Sequence, residues 1–280
     1  MTSVLECIES GTGYLAKKGV EDARRNMQLL VAHHLKCTRT QLYMRFDEPL
    51  DERVLAPLRI DLKKRGERVP LQHLLGVVPF YKHDFHCDSR ALIPRPETEE
   101  LVEILLKQLP FPPATVLDLG CGSGVIGISL ALAWPETNVT LADISTAALE
   151  LTSENILNLG ATNAHTIESN LFYSLAGKTF DLIVANLPYV PEMDRQSLAP
   201  EVLHDPELAL FSGNDGMDLL RRFCHEVTSY LNPGGVIALE IGIDQHQHVT
   251  EFLRQAGMKE IRVIADLSGI PRFPLAKFLH

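Results

Sequence analysis

No run of apolar residues in this chain approaches the ~20 needed to span a bilayer, which excludes a membrane-spanning helix. The first fifteen residues, MTSVLECIESGTGYL, lack a basic patch followed by an apolar core and so do not read as a signal peptide. The five cysteines, Cys7, Cys37, Cys87, Cys121 and Cys224, are odd in number, widely spaced and without a C-x-x-C pair. A disulfide framework is therefore excluded; idle or buried thiols in a reducing compartment are expected, with the cytoplasm as location. Bases are also short, 26 Lys and Arg against 36 Asp and Glu, for a net charge of −10. An enzyme that works on nucleic acid must attract phosphates, and the one basic triplet, Lys63 to Arg65, lies in a helix-like stretch rich in other charges. No direct nucleic-acid partner is expected. The histidines of HDFHC (His83 to Cys87) match no zinc spacing, and their alternation around Phe85 reads as a half-buried strand, so no metal is expected. Internal repeats and low-complexity segments are absent.

What is present suits two domains. The 280 residues, 45% hydrophobic and 22% charged, are enough for a catalytic domain of usual size plus a smaller one. Ala23, Met27, Leu30, Val31, His34 and Leu35 recur at helical spacing, as do Val54, Leu55, Leu58 and Leu62 between Asp51 and Arg65. These predict a small helical bundle over residues 1–78. Residues 79–94 carry aromatics and alternation suited to a hairpin linker. Residues 95–280 alternate helix and strand, the pattern of a parallel sheet covered on both faces. Within that region Ser145 is expected to cap a helix that Gly160 ends, Gly216 to Leu231 to form another helix, Asn232 to Gly235 to turn, and Gly235 to Gly242 to return as a strand.

Two segments carry chemistry. In VLDLGCGSGVIGISLAL (Val116 to Leu132) apolar residues and Asp118 lead into Gly120, Gly122 and Gly124 and then a helical run, the strand, tight turn and helix of a nucleotide-binding crossover. Asp143, about 20 residues further on, closes the next apolar strand, where an acid can accept both hydroxyls of a ribose. Gly122, Gly124 and Gly127 also satisfy G-x-G-x-x-G, so by the glycines alone a nicotinamide cofactor stays open. An isolated Cys121 in this loop has no base tied to it by a motif, and small residues are what fits there.

The second segment is NLPY, Asn186 to Tyr189, at the end of the apolar run Phe180 to Ala185. It reads as a device for holding a planar amine or amide. The Asn186 side-chain oxygen can accept one N–H, and the Leu187 carbonyl another, because a residue before proline is pushed into extended conformations. Pro188 fixes the turn and Tyr189 offers a ring for stacking. Taken alone, Asn and Pro are also ordinary turn residues. The proline-flanked Arg95 in IPRPETEE (Ile93 to Glu100) likewise reads as a helix start with an acidic first turn.

Together the two segments resemble the DxGxGxG and (N/D)PPY signatures of class I S-adenosylmethionine-dependent methyltransferases. With ALIPRPETEELVE (Ala91 to Glu103), HDPELALFSGNDGMD (His204 to Asp218) and DLSGIPRFPLAKF (Asp266 to Phe278), their order and spacing over nearly the whole chain resemble the release factor glutamine methyltransferase family (PrmC/HemK). That resemblance implies a doubly wound α/β fold with a mostly parallel seven-stranded sheet, a small N-terminal helical bundle and a joining β-hairpin. It implies S-adenosyl-L-methionine as cofactor and, as substrate, the glutamine of the GGQ loop of class 1 peptide chain release factors; a monomer is expected. A ribosomal-protein glutamine, or adenine in nucleic acid, is the alternative acceptor. By the same resemblance Gly120, Cys121, Gly122, Ser123, Gly124, Asp143, Asn170, Leu171 and Asn186 bind the cofactor. Asn186, Leu187, Pro188 and Tyr189 hold the glutamine and carry catalysis, Arg95 binds substrate, and Glu97 and Thr98 shape the site. Two positions depart from the family pattern. Leu187 stands where proline is usual and Asn170 where aspartate is usual, each keeping the acceptor oxygen that matters.

Overall fold

The computed structural model describes residues 2–279. They form two compact units, the chain up to Val77 together with Ala199–His204, and Val78–Leu198 together with Asp205 onward. Among the described residues no helix is long and apolar enough to cross a membrane.

The first unit is helical. Helix α1 (Val4–Lys17) starts at a reciprocal capping box, in which Ser3 accepts from the Glu6 N–H and Glu6 from the Ser3 N–H. Helices α2 (Ala23–His34), α3 (Arg39–Leu42), α4 (Glu52–Gly66) and α5 (Leu71–Leu75) follow. The α2 stripe buries Met27, Leu30 and Val31 against Val4, Ile8, Leu15 and Leu58, each such side chain contributing about 1.5–3 kcal/mol. His34 leaves the stripe and bonds Asp61 at 2.9 Å. At Gly11 an added Cβ would overlap the Met27 side chain, so the bare glycine leaves room for Met27 to pack against α1. Asp51 caps α4 by accepting from the Arg53 and Val54 N–H groups. A half-buried polar cluster closes this unit: Arg65 donates to Asn26 at 2.8 Å and to Glu201 at 3.0 Å, and Arg68 donates to both Glu201 oxygens at 2.7 and 2.6 Å. Burial would raise the Glu201 pKa, but the two guanidiniums outweigh it and hold the carboxyl down at about 2.

Strands β1 (Val77–Phe80) and β2 (His83–His86) pair as a two-stranded sheet. Phe80 and Phe85 are fully buried from it and meet edge to face at 5.9 Å, within the core that also holds Leu101, Val102 and Leu105 of α6 (Pro96–Gln108). From there the chain alternates: β3 (Thr115–Leu119), α7 (Val125–Ala133), β4 (Asn138–Asp143), α8 (Thr146–Leu159), β5 (Ala164–Glu168), β6 (Phe180–Asn186), α9 (Asp218–Glu226), β7 (Leu231–Glu240), α10 (His246–Gln255), β8 (Lys259–Ala265) and β9 (Pro271–Lys277). The seven strands from β3 to β9 lie in the order β5-β4-β3-β6-β7-β9-β8, parallel except that β9 runs antiparallel to both its neighbours. Two apolar cores sandwich this sheet, one holding Leu101, Val116, Ile128, Leu141, Leu182 and Val184, the other Leu117, Ile183, Phe223, Ile237 and Val249. Alternate residues of β3 and β6 divide between them, as a sheet covered on both faces requires.

The expected caps of α8 are present: Ser145 accepts from the Ala148 N–H, and Gly160 closes the helix in the left-handed region. The expected turn at Asn232 to Gly235 instead belongs to β7, which begins at Leu231 and pairs with β6 through a register shift between Phe180 and Leu182. The strand order reverses at β3, with β4 and β5 to one side and β6 and β7 to the other, which is where such sheets open a crevice at the carboxyl ends of their strands.

Candidate active site

The register of the sheet sets three motif residues side by side. Leu119 pairs with Ala142 on one flank and Ala185 on the other, so Gly120, Asp143 and Asn186 emerge from adjacent strands at one edge. They border a cavity of about 320 Å³, within the size range of small-molecule sites. Its wall is formed by Gly120, Cys121, Gly122, Ser123, Asp143, Asn170, Leu171, Asn186, Leu187 and Pro188, with Arg95 and Thr98. Gly124 and Tyr189, also expected at the site, do not line it.

The glycine loop is built by backbone needs. Gly120, Gly122 and Gly124 all have positive φ (74°, 56° and 82°), and a Cβ on Gly124 would stand 2.8 Å from Ile128 and Thr152 side-chain atoms. Gly124 stands at the N-cap of α7. Asp118 lies beneath: fully buried, it accepts the Gly127 N–H at 2.7 Å, while its other oxygen has no partner among the described residues. Burial raises its pKa to about 7. Asn155 of α8 ties the loop to the hairpin, donating to the Ser123 and His86 carbonyls and accepting the His86 N–H at 2.7 Å. Cys121 is buried, and burial pushes its thiol well above the ordinary range, which leaves no thiolate for nucleophilic work.

Asp143 accepts the Gly122 N–H and the Ser145 N–H, each at 2.9 Å, which fixes its carboxylate at the cavity wall. Burial raises its pKa and these donors pull the other way. The next strand end carries a strained residue that the sequence does not announce. Leu171 is buried with φ 48°, a conformation costly for a branched side chain, and its carbonyl accepts the Ser169 hydroxyl at 2.6 Å. Its neighbour Asn170 is exposed, and its side-chain oxygen accepts from Arg222 at 3.2 Å. The acceptor expected at position 170 is thus already engaged, and Arg222 joins the lining without any motif to flag it.

At the third strand end, Leu187 is buried and its side chain covers Gly120, where an added Cβ would approach Leu187 Cδ2 to 3.0 Å. Asn186 Nδ2 faces the Thr98 hydroxyl at 3.5 Å. Tyr189 is half-buried and packs against one of the two apolar cores; burial pushes its phenol up to about 12. Its carbonyl accepts from Gln245 Nε2 at 3.0 Å, and Gln245 Oε1 accepts the Gly242 N–H at 2.9 Å. Gly216, φ 73°, presses on that carbonyl where any Cβ would collide. Arg95 is paired with the buried Asp205 at 2.9 Å, and Asp205 also accepts the Ile93 N–H. Burial still raises Asp205 to about 6 against that guanidinium.

A parallel sheet of order β5-β4-β3-β6-β7 with an antiparallel β9-β8 extension, and a glycine loop and acid at its reversal point, defines a class I methyltransferase. Residues 6–76 match the PrmC N-terminal domain, and residues 97–217 match the methyltransferase small domain. The release factor glutamine methyltransferase of Geobacter sulfurreducens is 40% identical over 93% of this chain and 91% of that protein. Those of Deinococcus radiodurans (37%, 97% and 97%) and Rhodopirellula baltica (35%, 96% and 94%) are similar across comparable spans. The chain belongs to the release factor glutamine methyltransferase family. Among solved structures, a methyltransferase from Pyrococcus furiosus superposes with TM-score 0.54 at 16% identity, over 82% of this chain and 100% of that one. A 16S rRNA methyltransferase from Thermus thermophilus, solved with AdoMet and guanosine, gives 0.52 at 19% identity, over 72% and 49%. These two likenesses concern the fold.

Proposed function

We propose that this chain moves a methyl group from S-adenosyl-L-methionine to the side-chain amide nitrogen of the glutamine in the GGQ loop of class 1 peptide chain release factors. The reading rests on one observation above the others: Asn186 and Leu187 border the same cavity as Gly120 and Asp143. The family supports the substrate, since its members bear that activity in their names.

The residues fit the cofactor. Glycines at 120 and 122 keep the backbone of the loop free of side chains, and a fixed carboxylate at Asp143 suits a ribose diol. Leu171 supplies an apolar wall for the base, with Asn170 and Arg222 at the exposed rim. When bound, S-adenosyl-L-methionine supplies a methyl carbon made electrophilic by its sulfonium.

The chain's own residues handle the acceptor. An amide nitrogen is a poor nucleophile because its lone pair is delocalised, so both N–H groups must be fixed. Asn186 Oδ1 and the Leu187 carbonyl accept one each, aiming the nitrogen and stabilising the positive charge that grows on it. Alignment of the reacting atoms is the larger contribution. Pro188 holds the turn, and Tyr189 positions the amide plane, its carbonyl anchored by Gln245. Residues 1–78 help recognise the release factor, the 79–94 hairpin joins them to the 95–280 transfer domain, and the enzyme works as a cytoplasmic monomer. An acidic enzyme with net charge −10 suits a protein acceptor better than a nucleic acid.

The test is mass spectrometry of the GGQ peptide from an unmethylated release factor incubated with this protein and S-adenosyl-L-methionine, with Asn186→Ala as control. A single methyl on the glutamine, absent from the control, is expected. An unmodified peptide despite demonstrated cofactor binding would redirect the search to ribosomal-protein glutamine or adenine.

A further inference from the structure

Glu240 is the last residue of β7 and pairs in register with Asn186 on β6. It is 1% exposed, and its Oε2 has no hydrogen-bond partner among the described residues. A carboxylate at that depth is expensive unless it serves something. Its surroundings are specific. Thr98 of α6 and Asn186 face it with side chains that favour its ionised form, Arg272 of β9 adds positive charge, and Glu97 adds negative charge from α6. Tyr189 also faces it. Arg272 itself donates through Nε to Asp266 at 2.8 Å and through Nη1 to the Ile241 carbonyl at 3.2 Å, so two of its three nitrogens are already engaged.

The chemistry of the three facing groups restricts how they point. An ionised carboxyl only accepts, an amide has one accepting and one donating end, and a hydroxyl does both. With Glu240 ionised, the Thr98 proton is drawn to the carboxylate, and the Thr98 oxygen is left to accept from Asn186. The amide NH2 of Asn186 must then turn inward, as its Nδ2 does at 3.5 Å from Thr98 Oγ1, a long contact of the kind that tightens when a site fills. We propose that Glu240, acting with Thr98, is a positioning residue that locks the amide of Asn186 with Oδ1 toward the cavity. A flipped amide would present NH2 to the substrate's own NH2, donor against donor, and would leave the glutamine unheld.

Burial raises the Glu240 pKa to about 7, so protonation near neutrality adds a donor to the cluster and removes the constraint. Tyr189, at about 12, stays out of that range. Methyl transfer should therefore carry an acid limb, falling as pH drops below about 7.

The inference rests on the glutamine-transfer reading, and its test separates the two. Glu240→Gln has one oxygen to serve two donors; it should lower kcat about 10- to 100-fold, the scale of losses from partners that orient a functional ligand. It should also flatten the acid limb, with S-adenosylhomocysteine affinity within about threefold of wild type. Thr98→Val should do the same, and the double variant should be no worse than either alone, as expected for members of one network. A readout free of turnover is the Asn186 side-chain amide signal in 15N-labelled protein bound to S-adenosylhomocysteine. It should titrate near pH 7 in wild type and not in Glu240→Gln. A pH-independent Asn186 signal in wild type, or an unchanged kcat and pH profile in both variants, overturns the role of Glu240. If wild type leaves the GGQ glutamine unmethylated, the functional reading fails, while the Asn186 signal still decides on Glu240.

Discussion

Replacing Asp143 by alanine tests the cofactor side of the cavity. In the wild type the carboxylate is fixed by two N–H groups at 2.9 Å, from Gly122 and Ser145. On the proposed reading it accepts two ribose hydroxyls, each charge-assisted bond worth about 1.5–3 kcal/mol. Water entering the vacated space recovers part of this, so a net loss of about 3 kcal/mol is reasonable, or about 100-fold in affinity. The same change strips acceptors from Gly122 and Ser145, at about 1–3 kcal/mol for each N–H left unpaired, so the unliganded fold should also weaken. Asp143→Asn keeps one oxygen and should fall between, near 10-fold, with less loss of stability. Calorimetric titration with S-adenosylhomocysteine measures the affinities, and thermal unfolding without ligand measures the fold. A folded Asp143→Ala protein that binds within about threefold of wild type would show that this carboxylate holds no ribose.

Asn186→Ala should abolish methyl transfer while weakening S-adenosylhomocysteine binding by no more than about 10-fold, roughly one neutral hydrogen bond; an active variant, assayed by peptide mass, sinks the mechanism. Gly124→Ala must adopt φ 82° and push a Cβ to 2.8 Å from Ile128 and Thr152, so urea unfolding should record a loss of about 2–4 kcal/mol. Glu201→Gln removes the charge that compensates Arg65, whose side chain is only 7% exposed, and should cost about 1–3 kcal/mol in urea unfolding. Because Glu201 is held near 2 against an ordinary 4.5, that contribution is complete above about pH 4.5 and is lost as pH falls toward 2. A variant whose acid unfolding overlays that of wild type would remove the carboxylate from this account.

Local signals in the chain foretold the elements that obey local rules. Ser145 and Gly160 bracket α8, the stripe from Met27 to Val31 forms the inner face of α2, and Gly120 to Gly124 make the expected loop. Helix α1 was legible but unread, since Ser3 and Glu6 spell a capping box before Val4 and Ile8. Strand β9 was obscured by Pro271 and Pro274, residues that argue against a strand paired on both sides. The fold accommodates them because pairing with β7 starts only at Leu275. At the site the motifs locate the cavity, while the packing of Tyr189 against a core that also holds Leu187 and Met217 is set by tertiary contacts that the motif does not display. Glu240, Arg222 and Asn155 had no local signature. Each is brought in by strand register or helix packing from at least 30 residues away, which a single sequence does not display.

Leu187 Cδ2 sits where a substituent on Gly120 would point, so the glycine loop and the NLPY turn touch through one methyl group. The two motifs are therefore not independent modules in mutational space. A ring at position 187 would withdraw that methyl and open room above Gly120, while any enlargement at 120 must first be absorbed by whatever stands at 187. Substitutions at these two positions should show strong epistasis, and a grafted proline at 187 would be judged fairly only alongside variants of the loop it faces.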